Sequence, residues 1–351
     1  MKYILHLLAI VAAFALLFAA YGGRVDPTVW ALPSLATLAL PAVAVVVLAL
    51  LALLLLFRRW RSVVILLGAI FLAWPTLRQI CPVNLYGPKA DPDKTQLKVL
   101  TMNVTEFNWY ENVSEPSLNM RYILDEDADI VVIQEGLVYF SYEQQPRLAS
   151  MLDELYKKYP YRKKEFFDVG ILSKYPFTEV KSPALDRDTM NYFIKAWDVE
   201  APGGDLRVVS MHLSSLRLNA NESNVIESMK TPSGRKKRIQ SVTTKLEAGF
   251  KTHARQARAL RALLDEAGGD ALVVGDMNDT PGSYAYRTIC GDDLRDSWAD
   301  TGLGPIYTYH EHYMYVKIDH ILYRGNLKPL WCKIVKAGES DHYPMLALFE
   351  R

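Results

Sequence analysis

Cysteine is scarce in this chain, with three among 351 residues, too few to staple a disulfide scaffold. Cys81 stands apart, so Cys290 and Cys332 are the only pair in the later part of the chain. Two buried free thiols are the expectation, since nothing in the sequence brings these two together. Histidine is also sparse, at seven. His310 and His312 have a ligand-like spacing in a tyrosine-rich segment, but zinc asks for three or four ligands and no partner cluster accompanies them. They read as surface or substrate-loop residues. Neither sign of charge is in excess, with 40 Lys and Arg against 39 Asp and Glu. Against that balance one basic stretch stands out, Lys230 to Arg238, after the segment Ser214-Ser215-Leu216-Arg217.

Charge is missing altogether from Leu32 to Phe57. Ile4 to Ala20 is apolar apart from His6, and Ser62 to Trp74 is apolar with a natural extension to Leu77. The middle run exceeds the roughly 20 residues that cross a bilayer, and the other two are shorter but plausible spans. The mean hydropathy of +0.01 thus conceals two regimes. Residues 1–80 read as a transmembrane region of about three helices, 81–94 as a short linker rich in Gly87, Pro88 and Pro92, and 95–351 as an ordinary globular domain. Lys2 and the Arg58-Arg59-Trp60-Arg61 cluster are expected on the cytoplasmic side. The third span then carries the later domain to the extracytoplasmic side. A cleaved signal peptide at Ile4 to Ala20 leads to the same side.

What the later domain contains is a series of short apolar runs, each ending in a polar residue. Lys98 to Met102 delivers Asn103, Asp129 to Gln134 delivers Glu135, and Leu206 to Met211 delivers His212. Ala271 to Val274 leads into Gly275-Asp276-Met277-Asn278. Val316 to Tyr323 is strand-like throughout and contains Asp319, with His320 beside it as a structural residue. Ser340-Asp341-His342 precedes the strand-like Met345 to Phe349. Strands bounded by turn signals tend to end on one rim of a sheet, where functional groups collect. A carboxylate and a carboxamide two residues apart can orient a water or meet a hard cation, although Gly, Asp and Asn are also plain turn residues.

The ordered set Asn103, Glu135, His212, Asp276-x-Asn278, Asp319 and Asp341-His342 resembles the endonuclease/exonuclease/phosphatase superfamily. Ile171-Leu172-Ser173-Lys174-Tyr175-Pro176 is similar to an internal strand of that family. The resemblance covers about Thr95 to Arg351. It implies a four-layer α/β sandwich of two mixed β-sheets flanked by helices, and hydrolysis of a phosphodiester or phosphomonoester with a divalent cation, Mg²⁺ with Mn²⁺ as the alternative. Phosphoester hydrolysis needs neutralised phosphoryl oxygens, an oriented water and help for the leaving oxygen. Glu135 is the candidate for direct metal contact, with Asn103 and Asp341 completing or supporting that site. Asp276 would activate the water and Asn278 fix the water or the phosphate. His342, held by Asp319, would contact the scissile phosphate, and His212 would act from the other side.

Taken singly, Asn103 and Asp341 are as well explained as turn caps and Glu135 as a solvent-facing strand end; their joint order lifts them above that. The sequons at Asn103, Asn112 and Asn221 are weak patterns. The expected partners are a lipid bilayer and a phosphoester substrate, with a lipid headgroup or small phosphoester favoured. An extracytoplasmic nuclease acting on DNA or RNA is the alternative, and a membrane scaffold with a degenerate hydrolase domain is the third. The basic stretch serves a solvated loop, nucleic acid or anionic lipid equally well.

Overall fold

The computed structural model describes residues 2–108, 116–136, 146–163, 169–182, 194–216, 235–311 and 314–351. Residues 112, 221, 230–234 and 312, on which some expectations above rest, lie outside these, as do the side chains of 235–238.

The apolar beginning of the chain folds as four helices: α1 (Lys2–Tyr21), α2 (Leu32–Leu38), α3 (Leu40–Leu56) and α4 (Trp60–Ile80). Among the described residues, Tyr3–Arg24 and Trp60–Ile80 are long and apolar enough to cross a membrane. The run expected as one span from Leu32 to Phe57 is a pair of helices bent by 62° at a one-residue break, which makes a third candidate span if the pair crosses as one broken span. Pro41 explains the break. It has no N–H to donate, its ring crowds the carbonyl one turn back, and it disfavours helical geometry at Leu40. The four helices share one apolar core that includes Leu16, Leu40, Leu54 and Leu66.

Twelve strands among the described residues form two six-stranded sheets. They are β1 (Gln96–Asn103), β2 (Ile130–Gln134), β3 (Tyr161–Arg162), β4 (Val169–Ser173), β5 (Phe177–Glu179) and β6 (Ile194–Ala201), then β7 (Gly204–His212), β8 (Ala271–Asp276), β9 (Arg295–Asp296), β10 (Asp319–Arg324), β11 (Lys328–Ile334) and β12 (Met345–Glu350). The first sheet has the order β11-β12-β1-β2-β4-β3 and the second β5-β6-β7-β8-β10-β9. Both are mixed: β1/β2 and β7/β8 run parallel, and the other pairs antiparallel.

Alternation along each strand builds the layers, because successive side chains point to opposite faces. Leu97 and Val99 of β1, Ile130 and Val132 of β2, and Leu272 and Val274 of β8 meet between the sheets with Trp197 and Phe349. Leu100, Met102, Val131 and Ile133 face outward onto helices α5 (Leu118–Glu126) and α6 (Pro146–Lys158). Val209, Ala271 and Val273 face the other way, onto α7 (Arg235–Asp265) and α8 (Tyr284–Cys290). A short α9 (Ser297–Thr301) follows β9. The result is a four-layer α/β sandwich.

α7 begins at Arg235, inside the basic stretch Lys230 to Arg238. Lys and Arg are good helix formers, and Val242, Leu246 and Phe250 supply a helical stripe whose last two members are buried. β10 starts at Asp319, with Val316 to Ile318 outside it. The linker packs on the later domain: Val83 bridges Leu303, Asn84 Nδ2 donates to the carbonyls of Ala299 (3.1 Å) and Gly302 (2.8 Å), and the Asp91 N–H donates to Glu350 Oε2 (2.6 Å). Cys290 and Cys332 are free and buried, and Cys81 is free and exposed.

Gly275, one residue before Asp276, has no room for a side chain. Its φ is +133°, and a Cβ there would lie 2.1 Å from the Met211 carbonyl oxygen and 2.8 Å from Gln134 Nε2. Gly275→Ala should therefore cost at least about 2 kcal/mol of stability. Gly268→Ala, where a Cβ meets nothing within 4 Å, should change it by less than about 0.5 kcal/mol. Thermal unfolding of the detergent-solubilised full chain measures both, and equal melting temperatures would refute the assignment.

Candidate active site

Strand register assembles the site. Across the parallel pair β1/β2, Asn103 lies opposite Gln134, and the chain then turns at Glu135 with φ +55°. In the second sheet, His212 lies opposite Asp276 and Asp276 opposite Asp319. The two rims face one another over a cavity of about 200 Å³ lined by Glu135, His212, Asp276, Asn278, Asp341 and His342. Asn103 and Asp319 sit immediately behind it, each 1% exposed. All eight residues anticipated from the sequence thus lie in or directly behind one cavity. His310 is elsewhere, its ring 4.0 Å from that of Tyr343. His320 is fully buried beside Asp296 and Lys317.

On the first sheet's side, Asn103 Nδ2 donates to Glu135 Oε1 (2.9 Å) and Asn103 Oδ1 accepts the Thr105 N–H (3.1 Å). Ser340 Oγ donates to the Asn103 carbonyl (2.6 Å), and Thr105 Oγ1 donates to Asp341 Oδ1 (2.7 Å). Asn103 therefore aims Glu135 at the cavity, and Thr105 aims Asp341. On the second sheet's side, the Asn278 N–H donates to Asp276 Oδ1 (2.7 Å). Asn278 Nδ2 donates to the Leu213 carbonyl (2.9 Å) and to Asp276 Oδ2 (3.2 Å). Those bonds occupy the amide nitrogen with bracing Asp276 and the turn after His212. His212 Nε2 stands 3.6 Å from both Glu135 Oε1 and Asp276 Oδ2, between the two carboxylates.

The imidazole of His342 is fixed at both ends. Its Nδ1 donates to Asp319 Oδ2 (2.9 Å), and its Nε2 lies 3.8 Å from Asp276 Oδ2. Burial alone would lower its pKa, but Asp319 and Asp276 outweigh that and raise it to about 10. Burial likewise lifts Asp276, to about 6, against the pull of His342 and His212. Asp319 is carried the other way, below the ordinary carboxylate value, because His342 overcomes the effect of burial. At neutral pH the site holds an imidazolium clamped by Asp319 beside an ionised Asp276.

Several contributing residues escaped the sequence reading. Thr308 Oγ1 accepts the N–H groups of Ile318 (3.0 Å) and Asp319 (3.1 Å), and Tyr309 packs edge-on against His342 at 5.1 Å. From α7, His253 Nε2 donates to the Ser214 carbonyl (2.6 Å) while its Nδ1 lies 3.3 Å from Asp279 Oδ2. It thereby ties the turn after His212 to the turn after Asp276. Ser340, beside the Asp341-His342 pair, had a local signal; Thr308 and His253 had none, being joined to the site only by the fold.

The acceptors present fit a divalent cation. Glu135, Asp276 and Asp341 put three carboxylates on one small cavity, and no lysine or arginine among the described residues lines it. Asp276, Asp319 and His342 also bring one ligand atom each within 4.8 Å of one another. There, however, the Asp319 carboxylate already accepts from a cationic imidazole, so a metal would have to displace that proton. The Glu135 side, open to the cavity, is the better seat.

His342 contributes stability that is full below the ordinary imidazole pKa of 6.5 and is lost as pH rises through about 10. Asp319→Asn should lower the His342 titration midpoint by at least about one pH unit and shrink that pH dependence. Histidine-selective NMR across pH 5 to 11 reads the midpoint. An unmoved midpoint would show that the pair is not coupled.

Comparison with curated proteins finds no match. Residues 2–80 match a domain of unknown function, DUF8431. Among solved structures, the chain is similar to humanized D. rerio TDP2, at 16% identity over 73% of this chain and 99% of that one, with a TM-score of 0.47. It is similar to an endonuclease/exonuclease/phosphatase family protein from Bacteroides thetaiotaomicron at 13% identity, 74% and 98% coverage and a TM-score of 0.47. The corresponding values for beta toxin from Staphylococcus aureus are 16%, 72%, 99% and 0.40. The family model described as Endonuclease/Exonuclease/phosphatase family matches residues 84–342, well over half of the chain, and the chain belongs to that family.

Proposed function

We propose that this chain is a membrane-anchored, divalent-metal-dependent phosphoesterase that hydrolyses a phosphodiester or phosphomonoester by attack of water. Its substrate is a lipid headgroup or a small phosphoester. The observation that carries this reading is the single cavity where the carboxylates Glu135, Asp276 and Asp341 meet the imidazoles His212 and His342. Members of the family are typically metal-dependent phosphoester hydrolases, and Mg²⁺, with Mn²⁺ as the alternative, suits an all-oxygen carboxylate and carboxamide donor set.

Glu135 would hold the cation, with Asp341 and the Asn103 amide supporting it. The cation, when bound, offsets charge on the phosphoryl oxygens. The chain's own residues supply the rest. Asp276 takes a proton from the attacking water as its oxygen bonds to phosphorus. The imidazolium of His342 donates through Nε2–H to a non-bridging oxygen, and Asp319 keeps its proton in place. His212, on the other side of the cavity, gives a proton to the leaving oxygen as the P–O ester bond breaks.

The anchor is residues 1–80, joined through 81–94 to the catalytic part at 95–351. The basic turn Arg58-Arg59 between α3 and α4 supports a cytoplasmic location for that turn, and so an extracytoplasmic catalytic domain. The close linker favours a membrane-borne substrate over nucleic acid.

Purified full-length protein should hydrolyse phosphoesters only with Mg²⁺ or Mn²⁺. Glu135→Gln should raise the Mg²⁺ concentration for half-maximal rate at least about tenfold, and Asp276→Asn should cut kcat by about 10²-fold or more while KM changes little. Normal metal dependence in folded Glu135→Gln, or an effect of Asp276→Asn on KM alone, would sink these roles. Cleavage of plasmid DNA with no turnover of phospholipid or sphingolipid in vesicles would transfer the enzyme to the nuclease class. For sidedness, a carboxy-terminal alkaline phosphatase fusion should be active and a cytoplasm-only fluorescent fusion dark; the reverse pattern places the site inside.

A further inference from the structure

One residue lining the catalytic cavity does not come from the catalytic domain. Leu38, the last residue of α2 at the 62° bend, shares the cavity with Glu135, His212, Asp276 and His342. It joins Leu216, Met314, Val316 and Ile318 there, so the cavity has a polar floor and an apolar wall. A phosphate and its metal have no use for that wall. An alkyl group attached to the phosphate does, because burying its methylenes away from water is favourable.

The position of Leu38 is built in. Gly22, just after α1, packs so tightly that a Cβ would lie 2.2 Å from the Pro33 carbonyl oxygen of α2, and a Cβ on Gly23 would lie 1.9 Å from the Gly282 carbonyl oxygen of the catalytic domain. Thr37, next to Leu38, donates to the Ala19 carbonyl (2.9 Å). Arg287 donates to Thr76 Oγ1 (2.7 Å) and the Ala20 carbonyl (3.3 Å), and Arg258 pairs with Asp26 at 2.7 Å. These contacts clamp the helical region onto α7 and onto the segment 282–287, a few residues beyond Asp276. One turn past Leu38 in sequence, Ala42, Val43, Val46 and Leu50 of α3 and Leu8 and Val11 of α1 line an all-apolar groove of about 490 Å³.

We infer that the helical region completes the active site, with Leu38 as a specificity-determining residue that receives the alkyl chain of a phosphoester entering from the bilayer along α2 and α3. The inference rests on the phosphoesterase reading above. On it, the helices select the substrate as well as anchoring the enzyme.

Two phosphodiesters test it, methyl 4-nitrophenyl phosphate and hexadecyl 4-nitrophenyl phosphate, given to the full chain in mixed micelles with Mg²⁺. In each, water adds to phosphorus and 4-nitrophenolate leaves, so one absorbance reads both. The ratio of kcat/KM for the long ester to that for the short one should fall at least fivefold in Leu38→Asp and stay within twofold in Leu38→Met. Taking the ratio cancels any general loss of folded enzyme. A turnover-independent measurement accompanies it: hexadecyl phosphate with a diazirine at mid-chain should label the peptide Leu32–Leu56, and excess unlabelled hexadecyl phosphate, but not methyl phosphate, should suppress the labelling. An unchanged ratio in Leu38→Asp, or labelling that hexadecyl phosphate does not suppress, overturns the inference and leaves the phosphoesterase intact. Suppressible labelling with neither ester hydrolysed, and no phosphate released from hexadecyl phosphate, supports the chain site and overturns the catalytic reading instead.

Discussion

Asp276 on β8 and its register partner Asp319 on β10 are two carboxylates buried side by side, and like charges so placed cannot both ionise without help. The help is His342, delivered from the loop before β12 in the other sheet, with Nδ1 on Asp319 and Nε2 facing Asp276. This single imidazolium lets one carboxylate remain a structural anion and the other titrate near neutrality. It also ties the sheets together at their functional edge. The bare Gly275, the Thr308 hydroxyl under the start of β10 and the Asn278 brace all keep that arrangement in register.

The opposite wall is simpler in charge but no less supported. Glu135 sits in a left-handed backbone conformation that a glutamate does not favour, and Asn103 holds its carboxylate. Strain of this kind persists where surrounding structure over-determines it. Here Asn103 is itself held by Thr105 and Ser340, so the hydrogen bonds that fix the Glu135 carboxylate come from neutral donors, with His212 Nε2 3.6 Å away. Neutral support leaves the negative charge available to a cation.

The helical region is joined to the hydrolase by contacts too close and too specific for a loose tether. Two glycines that admit no Cβ, a threonine and arginines bonded to helix carbonyls and side chains, and a docked linker fix its placement. The break at Ala39 is then a consequence of Pro41 that brings Leu38 to the catalytic cavity. In the function proposed above, membrane attachment and substrate access meet at the same bend.

The order Asn103, Glu135, His212, Asp276, Asp319, His342 was legible from residue types at strand ends, because apolar runs of strand length announce where the chain must exit a sheet. The apolar beginning was equally legible from the absence of charge. The bend at Pro41 was less so: hydropathy averages over a run, whereas a single missing N–H acts at one point. The basic stretch Lys230 to Arg238 gave no sign of the helix that begins at Arg235, since its charge masks a helical stripe that only Val242, Leu246 and Phe250 continue. What no local pattern carries is adjacency between distant segments. Thr308 under Asp319, His253 between Ser214 and Asp279, and Leu38 beside His212 are joined only when two sheets and a helical region pack. Apolar runs determined the strands and which polar residues stand at their ends, and the family resemblance of that ordered set implied the layers; tertiary packing alone decided which side chains from elsewhere in the chain hold that rim in place and wall its cavity.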